Sequence, residues 1–343
     1  MFPDRNRKMK NVCDEKCPLI VLSGPTAVGK TKLSIALAKA LGGEIVSADS
    51  MQVYRGMDIG SAKVTKEEMQ GVPHHMIDIL DPWEEFSVAV FKEKCCQCLP
   101  GIYERGHIPI VTGGTGFYVQ ALLKDVDFAE DAQDGEVRTW LEAMAEEKGA
   151  AYLHERLNQV DPVSAQQIHA NNIKRTIRAL EYFYLTNEPI SRHNEREMAK
   201  SSAYNSCYFV LNDVREQLYA RIEQRVDGML RDGLVEEVAR LRHMGCHRGM
   251  TSMQGLGYKE ILGYLEGETT LEEAVDLLKR DTRHFAKRQL TWFRREKDVI
   301  WVNKNEFGYK EDRILQRMLE IIEENGLKAG GECRVKDDGE KDE

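Results

Sequence analysis

Gly24-Pro25-Thr26-Ala27-Val28-Gly29-Lys30-Thr31 fits the pattern glycine, four residues, Gly-Lys-Ser/Thr, and its flanks suit a phosphate cradle. Leu19 to Ser23 ahead of it reads as a buried strand. From Lys30 onward, apolar positions at Leu33, Leu37, Ala40 and Leu41 fall at helical spacing. Glycines let the backbone wrap an anion, and the amides at the helix N-terminus donate to it. Lys30 adds a formal charge where phosphate oxygens would sit, and Thr31 would place a hydroxyl on a magnesium ion. The bland alternative is a glycine turn between strand and helix, which the flanks argue against. The motif does not say whose phosphates are held.

Working outward, the chain reads as an α/β protein. Glu44 to Ala48 forms a second strand that ends on Asp49, at the carboxyl edge where an open parallel sheet has its ligand crevice. Asp49 is therefore a candidate base or metal-shell carboxylate, or else a cap on the next turn. Ile108 to Val111 runs into Thr112-Gly113-Gly114-Thr115-Gly116, a second anion-friendly turn, before a helix from Phe117 to Leu123. From about Glu136 to Asn187 the periodicity is wholly helical, strand character returns at Cys207 to Leu211, and Val299 to Val302 precedes a last helix. The expected architecture is a P-loop NTPase-like parallel sheet core, residues 18–125 and 201–325, with a helical insertion domain at 126–200. An N-terminal extension, 1–17, and a disordered tail, 326–343, flank it.

Composition narrows the class. At 343 residues and 42% hydrophobic, the chain can bury a large core. No apolar run approaches the ~20 residues of a membrane span, and Met1 to Lys16 is polar and charged, so a cytoplasmic protein without a membrane partner is expected. The eight cysteines show no repeated pair spacing; Cys95 and Cys98 make a Cys-x-x-Cys inside a helical stretch, which favours reduced, structural thiols. His74, His75, Asp78 and Asp81 are too closely spaced along a strand and turn to make a convincing metal cluster.

Net charge is −9, but the charge is segregated. Asp127 to Gly149 is strongly acidic, whereas Asp276 to Lys297 carries Lys279, Arg280, Arg283, Lys287, Arg288, Arg294, Arg295 and Lys297 against three acids. Leu278, Phe285 and Trp292 recur every seven residues there, while Arg280, Arg283, Lys287 and Arg294 fall on the other side of the same helix. With Lys174, Arg175 and Arg178 on a second helix, this stripe suits either a phosphate backbone or simple solvation.

Five blocks in order, GPTAVGKT at 24–31, SADSMQVYRGMDIGSAK at 47–63, VTGGTGFY at 111–118, QGLGYKE at 254–260 and KRQLTWFRR at 287–295, resemble the bacterial tRNA dimethylallyltransferase family over roughly residues 18 to 325. The resemblance implies transfer of a dimethylallyl group from dimethylallyl diphosphate to N6 of adenosine 37 beside the tRNA anticodon. It implies Mg²⁺ as cofactor and the anticodon stem-loop as partner of a protein taken to be a monomer. The donor diphosphate would be held by Gly24, Pro25, Thr26, Ala27, Val28, Gly29, Lys30, Thr31 and Arg225, with Thr31 on the metal and Thr26 at the bridging oxygen. Asp49 matches the family's base. Contacts to tRNA are implied for Asp49, Ser50, Met51, Gln52, Thr115, Arg138, Lys174, Arg175, Arg178, Gln254, Gly255, Gly257, Tyr258, Lys259, Arg288, Gln289, Trp292 and Arg295. An adenylate isopentenyltransferase shares the donor but takes a free nucleotide. A P-loop kinase, the third reading, needs paired acids at a strand end, which Ile108 to Val111 lacks.

Overall fold

The structure, a computed structural model, describes residues 16–128 and 135–327. Six parallel strands, β1 (Pro18–Ser23), β2 (Gly43–Ser47), β3 (His74–His75), β4 (Ile108–Gly113), β5 (Asn205–Asn212) and β6 (Val299–Asn303), lie in the order β3-β2-β4-β1-β5-β6. β1 is central and nearly wholly buried, with Ile20 in register with Ile110 on one side and Cys207 on the other. Unbroken apolar runs such as Leu19–Leu22 and Cys207–Leu211 are what a parallel sheet covered on both faces requires. The chain leaves β1 for β2, beyond β4, while β5 lies on the other side, so the strand order reverses at β1 and a crevice opens at its carboxyl end.

The helices of the first half are α1 (Lys30–Leu41), α2 (Lys66–Met69), α3 (Val88–Glu104) and α4 (Gly116–Leu123). Then come α5 (Gly135–Lys148), α6 (Ala150–Val160), α7 (Pro162–Gln167), α8 (Ile173–Thr186) and α9 (Ile190–Ala199). The last five are α10 (Arg215–Arg231), α11 (Leu234–His243), α12 (Tyr258–Leu265), α13 (Leu271–Phe293) and α14 (Glu311–Glu324). Residues up to Leu122 and from Ala203 onward form one compact unit, and Leu123–Ser202 forms another.

In the first unit, Ile20, Leu22, Leu37, Ile45, Ile110, Phe209, Leu211, Ile314, Met318 and Ile322 share one core. Leu327 joins it, so that core reaches two residues into the segment assigned from composition to the tail; the rest of that segment, and residues 1–15 of the extension, lie outside the described residues. In the second unit, Leu141, Leu153, Leu157, Ile177 and Leu180 make a separate core. Asp161, 1% exposed, accepts the Ser164 and Ser191 amides at 3.0 and 2.9 Å and caps α7 ahead of Pro162, a favoured first helical residue.

Two expectations are corrected. The buried face of α13 is Ala274, Leu278, Thr282, Ala286, Gln289 and Phe293; of the heptad row only Leu278 belongs to it, and Phe285 and Trp292 are half-buried. Ala274, Thr282 and Ala286 share that face with larger residues, and a pattern of large apolar residues does not register them. Cys17 is disulfide-bonded, against the expectation of reduced thiols, while Cys95, Cys98, Cys207 and Cys246 are free thiols. Among the described residues no helix is long and apolar enough to cross a membrane.

Candidate active site

The cradle forms where β1 turns into α1. Gly24 has φ +148° and approaches β5 so closely that a Cβ would lie 2.6 Å from the Leu211 carbonyl oxygen, which only glycine tolerates. The loop's carbonyls face cations. The Lys30 ammonium donates to the Gly24 and Pro25 carbonyls at 2.9 Å, Arg221 Nε to Ala27 at 2.9 Å, and Lys304 Nζ to Val28 at 3.2 Å. Stripping water from the Lys30 ammonium brings its pKa down to about 7; the Arg225 guanidinium pushes the same way and the Asp49 carboxylate pulls back. Arg221 also pairs with the buried Asp213 carboxylate, so the charge this loop can offer an anion comes from Lys30 and Lys304.

Thr26 sits at the loop's crest. Its N–H donates to Gln289 Oε1 at 2.9 Å, its hydroxyl accepts from Arg225 Nη1 at 3.3 Å, and Gln289 Nε2 donates to the Gly114 carbonyl at 2.9 Å. Gln289 thus ties the cradle to the second glycine turn. It is 6% exposed with both ends of its amide engaged, so it is not placed to meet RNA.

Past the end of β2, Asp49 Oδ1 accepts the Met51 and Gln52 amides at 2.8 and 3.3 Å, a turn that fixes the carboxylate's direction. Thr26, Arg225 and Asp49 line one cavity of about 380 Å³. Its walls also include Ser50, Met51, Gly60–Ala62, Phe86, Thr115, Tyr118, Gln254 and Gly255, together with Val226 and Met229 of α10 and Leu278, Thr282, Phe285 and Arg288 of α13. Cations and a carboxylate therefore share a space with aliphatic and aromatic side chains, suited to a ligand with an anionic head and an apolar tail. Thr31, in the first turn of α1, is exposed.

The residues implied as RNA contacts separate into groups. Ser50, Met51, Thr115, Gln254, Gly255, Lys259 and Arg288 line the cavity. Gln52 is spent inside, accepting the Ser47 hydroxyl at 3.1 Å and donating to the Ala62 carbonyl at 3.3 Å. Tyr258 is fully buried, its hydroxyl donating to Glu237 at 2.8 Å, and Gly257, φ +93°, only starts α12, so neither is placed at the surface. Lys287, Arg288 and Arg295 are exposed and, with His284, Thr291 and Trp292, line a groove of about 410 Å³ along α13; Trp292 packs edge-on against Phe117 at 5.9 Å. Arg283 instead pairs with Glu223 at 3.0 Å and Lys279 with Asp227 at 2.6 Å, which spends them on α10. In the second unit, Arg138 and Arg178 reach Glu181 at 2.7 and 3.2 Å, while Lys174 and Arg175 are exposed.

Sequence reasoning missed Glu237, Arg221 and Lys304. Arg221 had a signal, since four residues before Arg225 puts both on one face of α10. Glu237 and Lys304 had none near them in the chain.

The IPP transferase family model matches residues 52–296, and the isopentenyl transferase model residues 17–79. The tRNA dimethylallyltransferase of Lachnoclostridium phytofermentans is 59% identical over 310 residues, 90% of this chain and 99% of its own. That of Acetivibrio thermocellus is 49% identical over 309 residues, 90% and 98% of the two chains. Among solved structures, the full-length tRNA isopentenylpyrophosphate transferase of Bacillus halodurans superposes with a TM-score of 0.67 at 46% identity, covering 91% of this chain and 98% of that one. A eukaryotic dimethylallyltransferase acting on tRNA gives 0.78 at 28% identity, covering 92% and 81%.

Proposed function

The chain belongs to the IPP transferase family, and from that premise we propose that it transfers a dimethylallyl group from dimethylallyl diphosphate to N6 of adenosine 37 in tRNA, releasing diphosphate. The observation that carries the proposal is the single cavity lined by Thr26 and Arg225 on the cradle side and by Asp49 beyond. In the reaction the donor's C1–O bond breaks, its electron pair leaves with diphosphate, and the adenine nitrogen closes the new C–N bond. Negative charge grows on the departing oxygens, where Lys30, Arg225, the Thr26 hydroxyl and the loop amides stabilise it. The exocyclic amine is a weak nucleophile because its lone pair is delocalised, and its proton passes to Asp49, already oriented by two amides.

Magnesium fits this site. Thr31 offers an exposed hydroxyl, and no group of three His, Cys, Asp or Glu able to hold a metal occurs among the described residues, which accords with an ion bound mostly through substrate phosphates and water. Bound there, it would neutralise the leaving diphosphate. The proposal includes a cytoplasmic monomer. The exposed bases of the α13 groove, and Lys174 and Arg175 of the insertion, hold RNA phosphates, which helps offset the few kcal/mol needed to unstack the adenosine.

Incubating the protein and magnesium with labelled donor and either bulk tRNA or AMP tests this. Label should enter tRNA without ATP. Incorporation into AMP alone would favour the free-nucleotide reading, and obligatory ATP turnover would overturn the donor assignment.

A further inference from the structure

Glu237 of α11 lies outside all five sequence blocks and is 4% exposed. A buried carboxylate needs donors, and this one has four. Oε2 accepts the Asp58 and Ile59 amides at 2.9 Å, and Oε1 accepts the Gly60 amide at 3.1 Å and the Tyr258 hydroxyl at 2.8 Å. Three consecutive amides wrapped round an anion make a nest, here filled by the protein's own side chain. The Tyr258 hydroxyl in turn accepts the Ser61 amide at 3.1 Å, and its ring lies so close over Gly60 that a Cβ there would come within 2.5 Å of it. The loop so held supplies Gly60, Ser61 and Ala62 to the cavity wall. Its Ala62 carbonyl accepts from Gln52 Nε2 at 3.3 Å, and the Gln52 amide donates to Asp49 Oδ1. Hydrogen bonds therefore run from Glu237, through the loop, to the carboxylate that faces the reacting amine. The cradle takes no part in that route.

We propose that Glu237 is a positioning residue for the transfer step: by holding the Asp58–Ser61 backbone it sets the wall of the cavity and, through Ala62 and Gln52, the direction of Asp49. This rests on the function proposed above. Because the donor's diphosphate is held elsewhere, loss of the brace should lower turnover and leave donor binding alone, whereas a general loosening of the fold would lower both. Misplacing a reacting group by about an ångström costs on the order of 10- to 100-fold in rate.

The test is steady-state kinetics with tRNA and dimethylallyl diphosphate, alongside the affinity of the free protein for inorganic diphosphate. Glu237→Gln keeps the shape but removes the charge and turns a side-chain amide NH2 toward backbone donors. It should lower kcat by about 10- to 100-fold with donor KM and diphosphate affinity within about threefold. Gly60→Ala forces the loop off Tyr258 while leaving Glu237 intact and should show the same split, so it decides the matter if the first variant does not fold. Loss of diphosphate affinity in step with kcat, or unchanged kcat in both variants, overturns the inference while the proposed function stands. A wild-type protein that leaves tRNA unmodified overturns both.

Discussion

Spacing alone allows Asp49 to be either a cap or a base, and its two amide partners show why the alternatives need not compete. A carboxylate whose Oδ1 is tied down by the Met51 and Gln52 amides is held in one direction, as a base must be. Asn can keep that oxygen acceptor but cannot take a proton. Asp49→Asn should therefore retain the turn and tRNA affinity within a few fold while kcat falls by roughly 10² or more, the usual scale for a general base. Filter binding with tRNA beside single-turnover rates measures both, and an unchanged rate would return Asp49 to capping alone. Lys30→Ala should differ in kind. Its ammonium meets the diphosphate before as well as during reaction, so donor KM should rise together with the loss in kcat. Lys30 was legible because its motif is local. Gln289 was not, because its partner Thr26 lies 263 residues away, and a buried glutamine on a basic helix reads from sequence as one more polar contact.

At the scale of the element, α13 shows what a charge run leaves open. Counting bases on the stripe puts Arg283 and Lys287 in one group, but Arg283 is spent on Glu223 whereas Lys287 is exposed. The distinction depends on α10, which no local pattern predicts. Neutralising Lys287, Arg288 and Arg295 together should weaken tRNA binding and flatten its log-log salt dependence by about 2 to 3, at ~0.7 to 0.9 for each RNA phosphate left without its base. Arg283→Ala should barely alter the slope. Donor KM should stay nearly constant in the Lys287→Ala variant, since that side chain is absent from the cavity wall. Affinity measured between about 50 and 200 mM salt separates these cases, and an equal slope change from Arg283→Ala would mean that its ion pair opens to RNA.

Over the whole first unit, the two edges of the sheet do different work. Its carboxyl edge gathers Lys30, Arg225 and Lys304 about the cradle, and its amino edge buries a carboxylate met by one arginine and two histidines. Glu44, at the start of β2 and 1% exposed, lies 2.7 Å from two Arg105 nitrogens, with His75 Nε2 and His107 Nδ1 at 2.5 and 2.6 Å. That single side chain joins β2 to β3, to the end of α3 and to the approach to β4. That the strands run parallel could be anticipated from alternation and the cradle; this junction could not, because glutamate opening a strand reads as a surface residue. The Arg105 hydrogen bonds, with help from the two histidines and against the pull of burial, bring the Glu44 pKa from 4.5 down to about 2. The folded form therefore binds the proton less readily than the unfolded chain. Its contribution is present in full above pH 4.5 and is lost as the pH falls from there toward 2. A shift of that size corresponds to about 3 kcal/mol at most, a large part of the roughly 5–15 kcal/mol typical of a domain. Denaturant unfolding followed from about pH 6 to pH 2 should show a decline that Glu44→Gln flattens through that window, at the expense of lower stability at neutral pH. Because this junction shares no residue with the cavity, affinity for inorganic diphosphate at neutral pH should survive the substitution within about twofold wherever the protein remains folded. A parallel loss of diphosphate binding would show that the two edges of the sheet are coupled rather than separate.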